Sequence, residues 1–284
     1  MQEFPRTRIE DVSLSRLIIG TNWFLGFSHT TRAQDEWIKG HMGRREIAAV
    51  VEVFLSAGVD AILGVRPEAV HLEQAICDAE DRTGRACLRI ASPELNVADT
   101  PEAASANAKA LDACAALGCR ICLPHQQATD ALLDRTSRTI RRMDRIAADI
   151  RARGMIPGLS THMPETPVYA DECDLDCATY VQIYNAAGFL MQVEIDWVHR
   201  IIWNSRRPVI TIKPLAAGRL HPLAGLAFNW GTIRPQDMVS VGTLTADEAR
   251  EVIEISRAVL EGREARVDLQ RTRSTASVEP TGGS

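Results

Sequence analysis

Three side chains in this sequence are suited to moving protons beside a carbonyl group: Lys213, His125 and Glu94. Lys213 ends the apolar run Val209-Ile210-Thr211-Ile212-Lys213-Pro214. A period of two puts Thr211 and Lys213 on one face and the isoleucines on the other. If the isoleucines meet a layer of helices, Lys213 points into an interior mouth. Desolvation there lowers an amine's pKa and makes it a base, a Schiff-base nucleophile or a fixed cation for an enolate. The alternative is a buried lysine satisfied by Glu94 or another acid. Lysine is scarce in the chain, since only Lys39, Lys109 and Lys213 stand among 32 basic residues.

His125 is suited to general acid–base work or to polarising a carbonyl, against the plainer role of a loop histidine bonded to backbone. Glu94 suits a second acid–base, against a salt-bridged surface carboxylate. His162, in Ser160-Thr161-His162, completes a Glu94, His125, His162 set that would serve a divalent metal if one were used. No tight ligand spacing supports that, so no cofactor is favoured, with NADP or a divalent metal as the alternatives. Asn22, Trp23, Arg66, His162, Gln182, Tyr184, Asn185 and Arg219 follow or end β-rich runs and are candidate substrate contacts. Arg66 and Arg219 suit an anionic group. The seven cysteines are read as reduced thiols in core or surface positions.

These residues need a scaffold that brings strand ends together. Short β-rich runs alternate with helical patterns: strands at 16–21, 59–63, 86–91, 120–123, 155–159, 180–184, 209–212 and 238–241. Helices are expected at 44–57, 67–81, 100–118, 137–153, 190–204 and 246–260. Thr100 followed by Pro101 is a clear helix start, and Gly58 and Gly154 are helix stops. Eight strands spaced as parallel βαβ units close most simply into an α/β (β/α)8 TIM barrel, a single domain over 1–262, whose chemistry lies at the C-terminal strand ends. Residues 27–43 form a long loop after the first strand, a lid in which Trp37 or His29 covers substrate, or else a surface loop or subunit contact. Residues 263–284 read as a flexible tail.

Several segments resemble the aldo-keto reductases, in order along the chain. They are Leu17-Ile18-Ile19-Gly20-Thr21, Gly154-Met155-Ile156-Pro157-Gly158-Leu159-Ser160, Tyr180-Val181-Gln182-Ile183-Tyr184-Asn185, Pro214-Leu215-Ala216-Ala217-Gly218-Arg219-Leu220 and Val241-Gly242-Thr243-Leu244-Thr245-Ala246-Asp247. The resemblance implies an NADP-dependent barrel with a catalytic tyrosine, lysine, aspartate and histidine. His125 matches the histidine. The tyrosine slot falls on or near Val65, although no tyrosine precedes Tyr169. The aspartate is Asp60 or is lost to Leu63. Ala91-Ser92-Pro93-Glu94 stands where the lysine belongs, and Arg250 is the nearest candidate for the cofactor's adenosine phosphate. Without tyrosine and lysine, hydride transfer loses its usual proton donor.

The expected function is therefore a non-redox step on a small hydroxylated, sugar-like carbonyl compound: isomerase, lyase or aldolase chemistry. A divergent NADP-dependent reductase using His125 or Tyr184 as proton donor is the first alternative, and an inert barrel used for binding or assembly the second. With 284 residues, 45% hydrophobic and a net charge of −5, the chain is globular with no nucleic-acid footprint. Without a long apolar run or a signal core, it is expected to be cytoplasmic and to act on a small molecule, alone or as a homo-oligomer, with no membrane partner.

Overall fold

The computed structural model describes residues 3–269, 272–276 and 278. An antiparallel hairpin opens the chain, β1 (Arg6–Ile9) with β2 (Val12–Ser15), and the first barrel strand is β3 (Leu17–Gly20). Then come α1 (Arg32–His41), α2 (Arg44–Ser56), β4 (Ala61–Val65), α3 (Val70–Thr83), β5 (Leu88–Ala91) and α4 (Pro101–Ala116). Next are β6 (Ile121–Cys122), α5 (Gln126–Leu132), the small hairpin β7 (Leu133–Asp134) with β8 (Thr139–Ile140), and α6 (Met143–Arg151). After it come β9 (Ile156–Pro157), β10 (Leu159–Ser160), α7 (Glu165–Glu172), β11 (Tyr180–Ile183), α8 (Ile195–Asn204) and β12 (Val209–Ile212). The 3-10 turn Ala216–Gly218, α9 (Pro222–Thr232), β13 (Met238–Val241), α10 (Ala246–Glu261) and the single turn α11 (Arg273–Ala276) complete the order.

All the barrel pairings are parallel, in the order β10-β11-β12-β13-β3-β4-β5-β6-β9. The two ends of that row are one stave. β9 pairs with β6, β10 pairs with β11, and only Gly158 separates them. A Cβ on Gly158 would lie 2.2 Å from Leu123 Cδ2 and 2.8 Å from Thr179 O, so only glycine lets neighbouring strands come this close. The ring is therefore an eight-stave (β/α)8 barrel. Its interior is packed with Ile18, Ala61, Ile90, Ile121, Leu123, Ile156, Val181, Ile210 and Met238, and the hairpin closes its N-terminal end with Ile9, Val12 and Leu14. A larger apolar layer lies between the staves and the helices.

Several expected elements need correction. The 137–153 helix begins only at Met143. Asp134 instead accepts from the amides of Thr136 and Ser137 and builds a turn. The long loop at 27–43 carries α1, capped by Thr31, whose hydroxyl accepts from Gln34 N. Asp60, a candidate catalytic aspartate, lies at the sealed end, where it pairs with Arg6 at 2.7 Å and accepts from Ser15 N. Part of the expected tail, at 270–271, 277 and 279–284, lies outside the described residues. Among the described residues no helix is long and apolar enough to cross a membrane.

Candidate active site

A cavity of about 890 Å3 opens at the C-terminal ends of the staves. Lys213 stands in its wall, but not for the reason its spacing suggests. Ile210 packs inside the barrel with Ile212 against it, so the isoleucines face inward. Strand alternation would then send Lys213 outward with Thr211, whose hydroxyl donates to Met238 O. Lys213 instead adopts φ +60°, a left-handed backbone that costs a non-glycine residue on the order of 1 kcal/mol, and this turn puts the side chain in the mouth. Ala216 N donates to Lys213 O and closes the turn.

Nζ of Lys213 lies 3.1 Å from Nε2 of His29, which also sits 3.3 Å from Asn22 Nδ2. Glu94, the acid expected to satisfy it, is bonded to Arg66 at 2.8 Å. Among the described residues no carboxylate forms an ion pair with Lys213, and burial alone pushes its pKa down to about 8. Three imidazoles share the cavity. Burial lowers His29 to about 4, helped by the Lys213 charge. His162 also falls to about 4, through burial and then the charges of Lys213, His125 and His29. His125 is lowered by burial, then by Arg66, while Glu94 opposes the shift. All three are neutral at neutral pH.

Local bonds explain these positions. His125 N donates to Pro93 O, and His125 O accepts from Ala128 N at the start of α5. Asp130 accepts from the Thr161 hydroxyl at 2.5 Å and from His162 N at 3.2 Å, fixing the turn that presents His162. Ser28 donates from its amide and hydroxyl to Asp35 of α1, which anchors the loop carrying His29.

Of the expected contacts, Asn22, Trp23, Arg66, Glu94, His125, His162 and Lys213 line the cavity. Gln182, Tyr184, Asn185 and Arg219 do not. Alternation puts Gln182 and Tyr184 on the helix side of β11, where the Tyr184 hydroxyl lies 3.2 Å from His199 Nδ1 and donates to Thr232 Oγ1. Asn185 braces its own loop through Phe189 O and Phe189 N. Arg219 stacks over Phe189 at 4.1 Å and donates to Ala216 O, clamping the Lys213 loop from outside. From the loop at 27–43, His29 reaches the cavity, while Trp37 is half exposed and stacks on His41. Sequence reasoning missed Phe27, His221, Glu248 and Glu251 in the wall. The last two follow the final strand at helical spacing, a signal that was open to reading.

Among the described residues no cluster of three or more His, Cys, Asp or Glu could hold a metal ion, so Glu94, His125 and His162 do not form a ligand set. The residues that the resemblance implies for reduction with NADP are not in place. Among the described residues no tyrosine lines the cavity, Val65 is buried on the helix side, and Leu63 takes the inward place. On α10 Arg250 turns to Asp247, leaving Glu248 and Glu251 in the wall.

No family model matches the chain, and no curated protein matches it. Solved structures do. A Pseudomonas aeruginosa protein described as an aldo-keto reductase superposes with a TM-score of 0.65 at 14% identity, over 91% of this chain and 98% of that one. The glycerol dehydrogenase of Gluconobacter oxydans gives 0.52 at 14% identity, over 94% and 99%. An aldose reductase of Giardia lamblia gives 0.52 at 13% identity, over 98% and 91%. The barrel expected from the sequence is thus the fold that these reductases share.

Proposed function

We propose that this barrel, built on the fold of the aldo-keto reductases, is an enzyme that moves a proton next to the carbonyl of a small hydroxylated, sugar-like compound. The outcome is isomerisation, elimination or retro-aldol cleavage, with no net redox change. One observation carries the reading: among the described residues no carboxylate pairs with Lys213 in the cavity, where burial lowers its pKa to about 8. At pH 7 roughly one amine in ten is then neutral.

The neutral Nζ adds to the carbonyl carbon, the oxygen leaves as water, and an iminium forms. The iminium draws in the electron pair of the neighbouring C–H or C–C bond. A neutral cavity imidazole takes the proton from the carbon or, in retro-aldol cleavage, from the β-hydroxyl as the aldehyde departs, and an enamine remains. In elimination the enamine then expels the β-hydroxyl as water. Protonation of that carbon and addition of water then release product and the free amine. His125, held neutral, offers an N–H to the substrate oxygen. Glu94 was expected to be a second acid–base, but its bond to Arg66 suits it to holding that guanidinium at the rim.

Sodium borohydride reduces an iminium to a stable secondary amine, so trapping with a substrate-like aldehyde should label Lys213. Lys213→Ala should lower turnover far more than tenfold, and a smaller loss would remove the lysine from the mechanism. The reductase alternative keeps His125 in the cavity as a donor but loses Tyr184, because that hydroxyl faces the helices. An inert binding barrel would instead keep its ligand after joint alanine substitution of Lys213, His125 and Glu94.

A further inference from the structure

The cavity wall carries groups of both charges. Lys213, the Arg66–Glu94 pair and the three imidazoles line one part of it, after other staves, and Glu248 and Glu251, a turn apart on α10, add two carboxylates to the part that follows β13. The fold accounts for Glu248. Its Oε2 accepts from Leu244 N at 2.7 Å, and its own amide donates to Thr245 Oγ1 at 3.1 Å, a reciprocal helix cap. Glu251 has no such task. It sits past the first turn, where the helix dipole offsets a carboxylate less, and its side chain makes no bond or ion pair among the described residues. The two carboxylates lie three residues apart on one face and repel each other. Arg250, the neighbour of Glu251 in sequence, faces a separate groove between α2 and α10 and pairs with Asp247.

A phosphate brought to this wall meets two carboxylates. It also meets a helix start where the Leu244 and Glu248 amides are already bonded to side chains. We infer that Glu248 and Glu251 make the α10 part of the cavity wall reject phosphate, so that the compound handled at Lys213 is unphosphorylated and is taken without a nucleotide. The identity of the reacting group rests on the Lys213 reading, whereas the exclusion rests on the wall itself.

Two matched pairs test it on the full chain. NADPH and NADH differ only by a phosphate, as do glyceraldehyde 3-phosphate and glyceraldehyde. Neither nucleotide should bind detectably by calorimetry up to about millimolar concentration. Under cyanoborohydride, glyceraldehyde should be captured on Lys213 on the order of tenfold faster than its phosphate, and Glu251→Gln should narrow that ratio severalfold. Submicromolar NADPH binding, NADPH binding tighter than NADH, or equal or faster capture of the phosphorylated aldehyde would overturn the inference. If neither aldehyde is captured, the Lys213 chemistry fails, and the exclusion then stands or falls on the nucleotide pair. Lys213→Met, which has no amine to capture, keeps that pair readable.

Discussion

Burial holds Lys213 near 8, against 10.5 for a free lysine, and the sign of that shift can be measured twice. Between pH 8 and 10.5 the unfolded chain holds a proton that the folded chain has released, so stability rises with pH across that window. Below pH 8 the buried ammonium costs the fold up to about 3 kcal/mol. Lys213→Met should therefore be more stable than the parent at pH 7 while losing activity, and its advantage should shrink from pH 8 to 10.5 in denaturant titrations. The rate of borohydride-trapped adduct formation should rise about tenfold per pH unit below 8 and level off above it. The two most shifted histidines act at lower pH. His29 and His162 fall from 6.5 to about 4, so the unfolded chain takes up protons first as the solution is acidified. Stability should fall between pH 6.5 and 4, and His162→Gln should flatten part of that slope.

At the scale of elements, the Gly158 break decides whether the ring closes. Gly158→Ala would push a methyl group into Leu123 and the Thr179 carbonyl, and a loss of roughly 2–4 kcal/mol is expected by urea unfolding. The staves themselves were legible in the sequence. β12 and β13 fall on the expected residues because apolar runs between helical patterns have few other readings. The helix start at Thr100 was legible too, since its hydroxyl accepts from Ala103 N in the expected way. What could not be read was dihedral information. Alternation predicts the face of Thr211 correctly once the isoleucines are known to point inward, but nothing in Ile212-Lys213-Pro214 announces a φ of +60°. Lys213 reached the cavity for a reason other than its spacing. Gln182 and Tyr184 failed by the same rule, because candidates drawn from strand ends carried no statement of which face they occupied.

For the whole molecule, the hairpin at the N-terminal end is part of the core. Ile9, Val12 and Leu14 fill the barrel's lower interior, and Arg6 ties the hairpin to Asp60. Leu14→Ala should cost about 2–4 kcal/mol, and the loss should appear in a single cooperative transition monitored by both fluorescence and circular dichroism. A split transition would mean that the hairpin unfolds separately from the staves.

That seal also sets the traffic of the molecule. With the N-terminal end of the barrel filled, the described residues leave the C-terminal rim as the way in and out, so arrivals and departures pass the loop that carries His29. A rearrangement, with one molecule in and one out, suits this plan without queuing. A cleavage leaves two fragments behind a shared gate, and the piece nearer the opening has to clear before the one still tethered to the amine can follow.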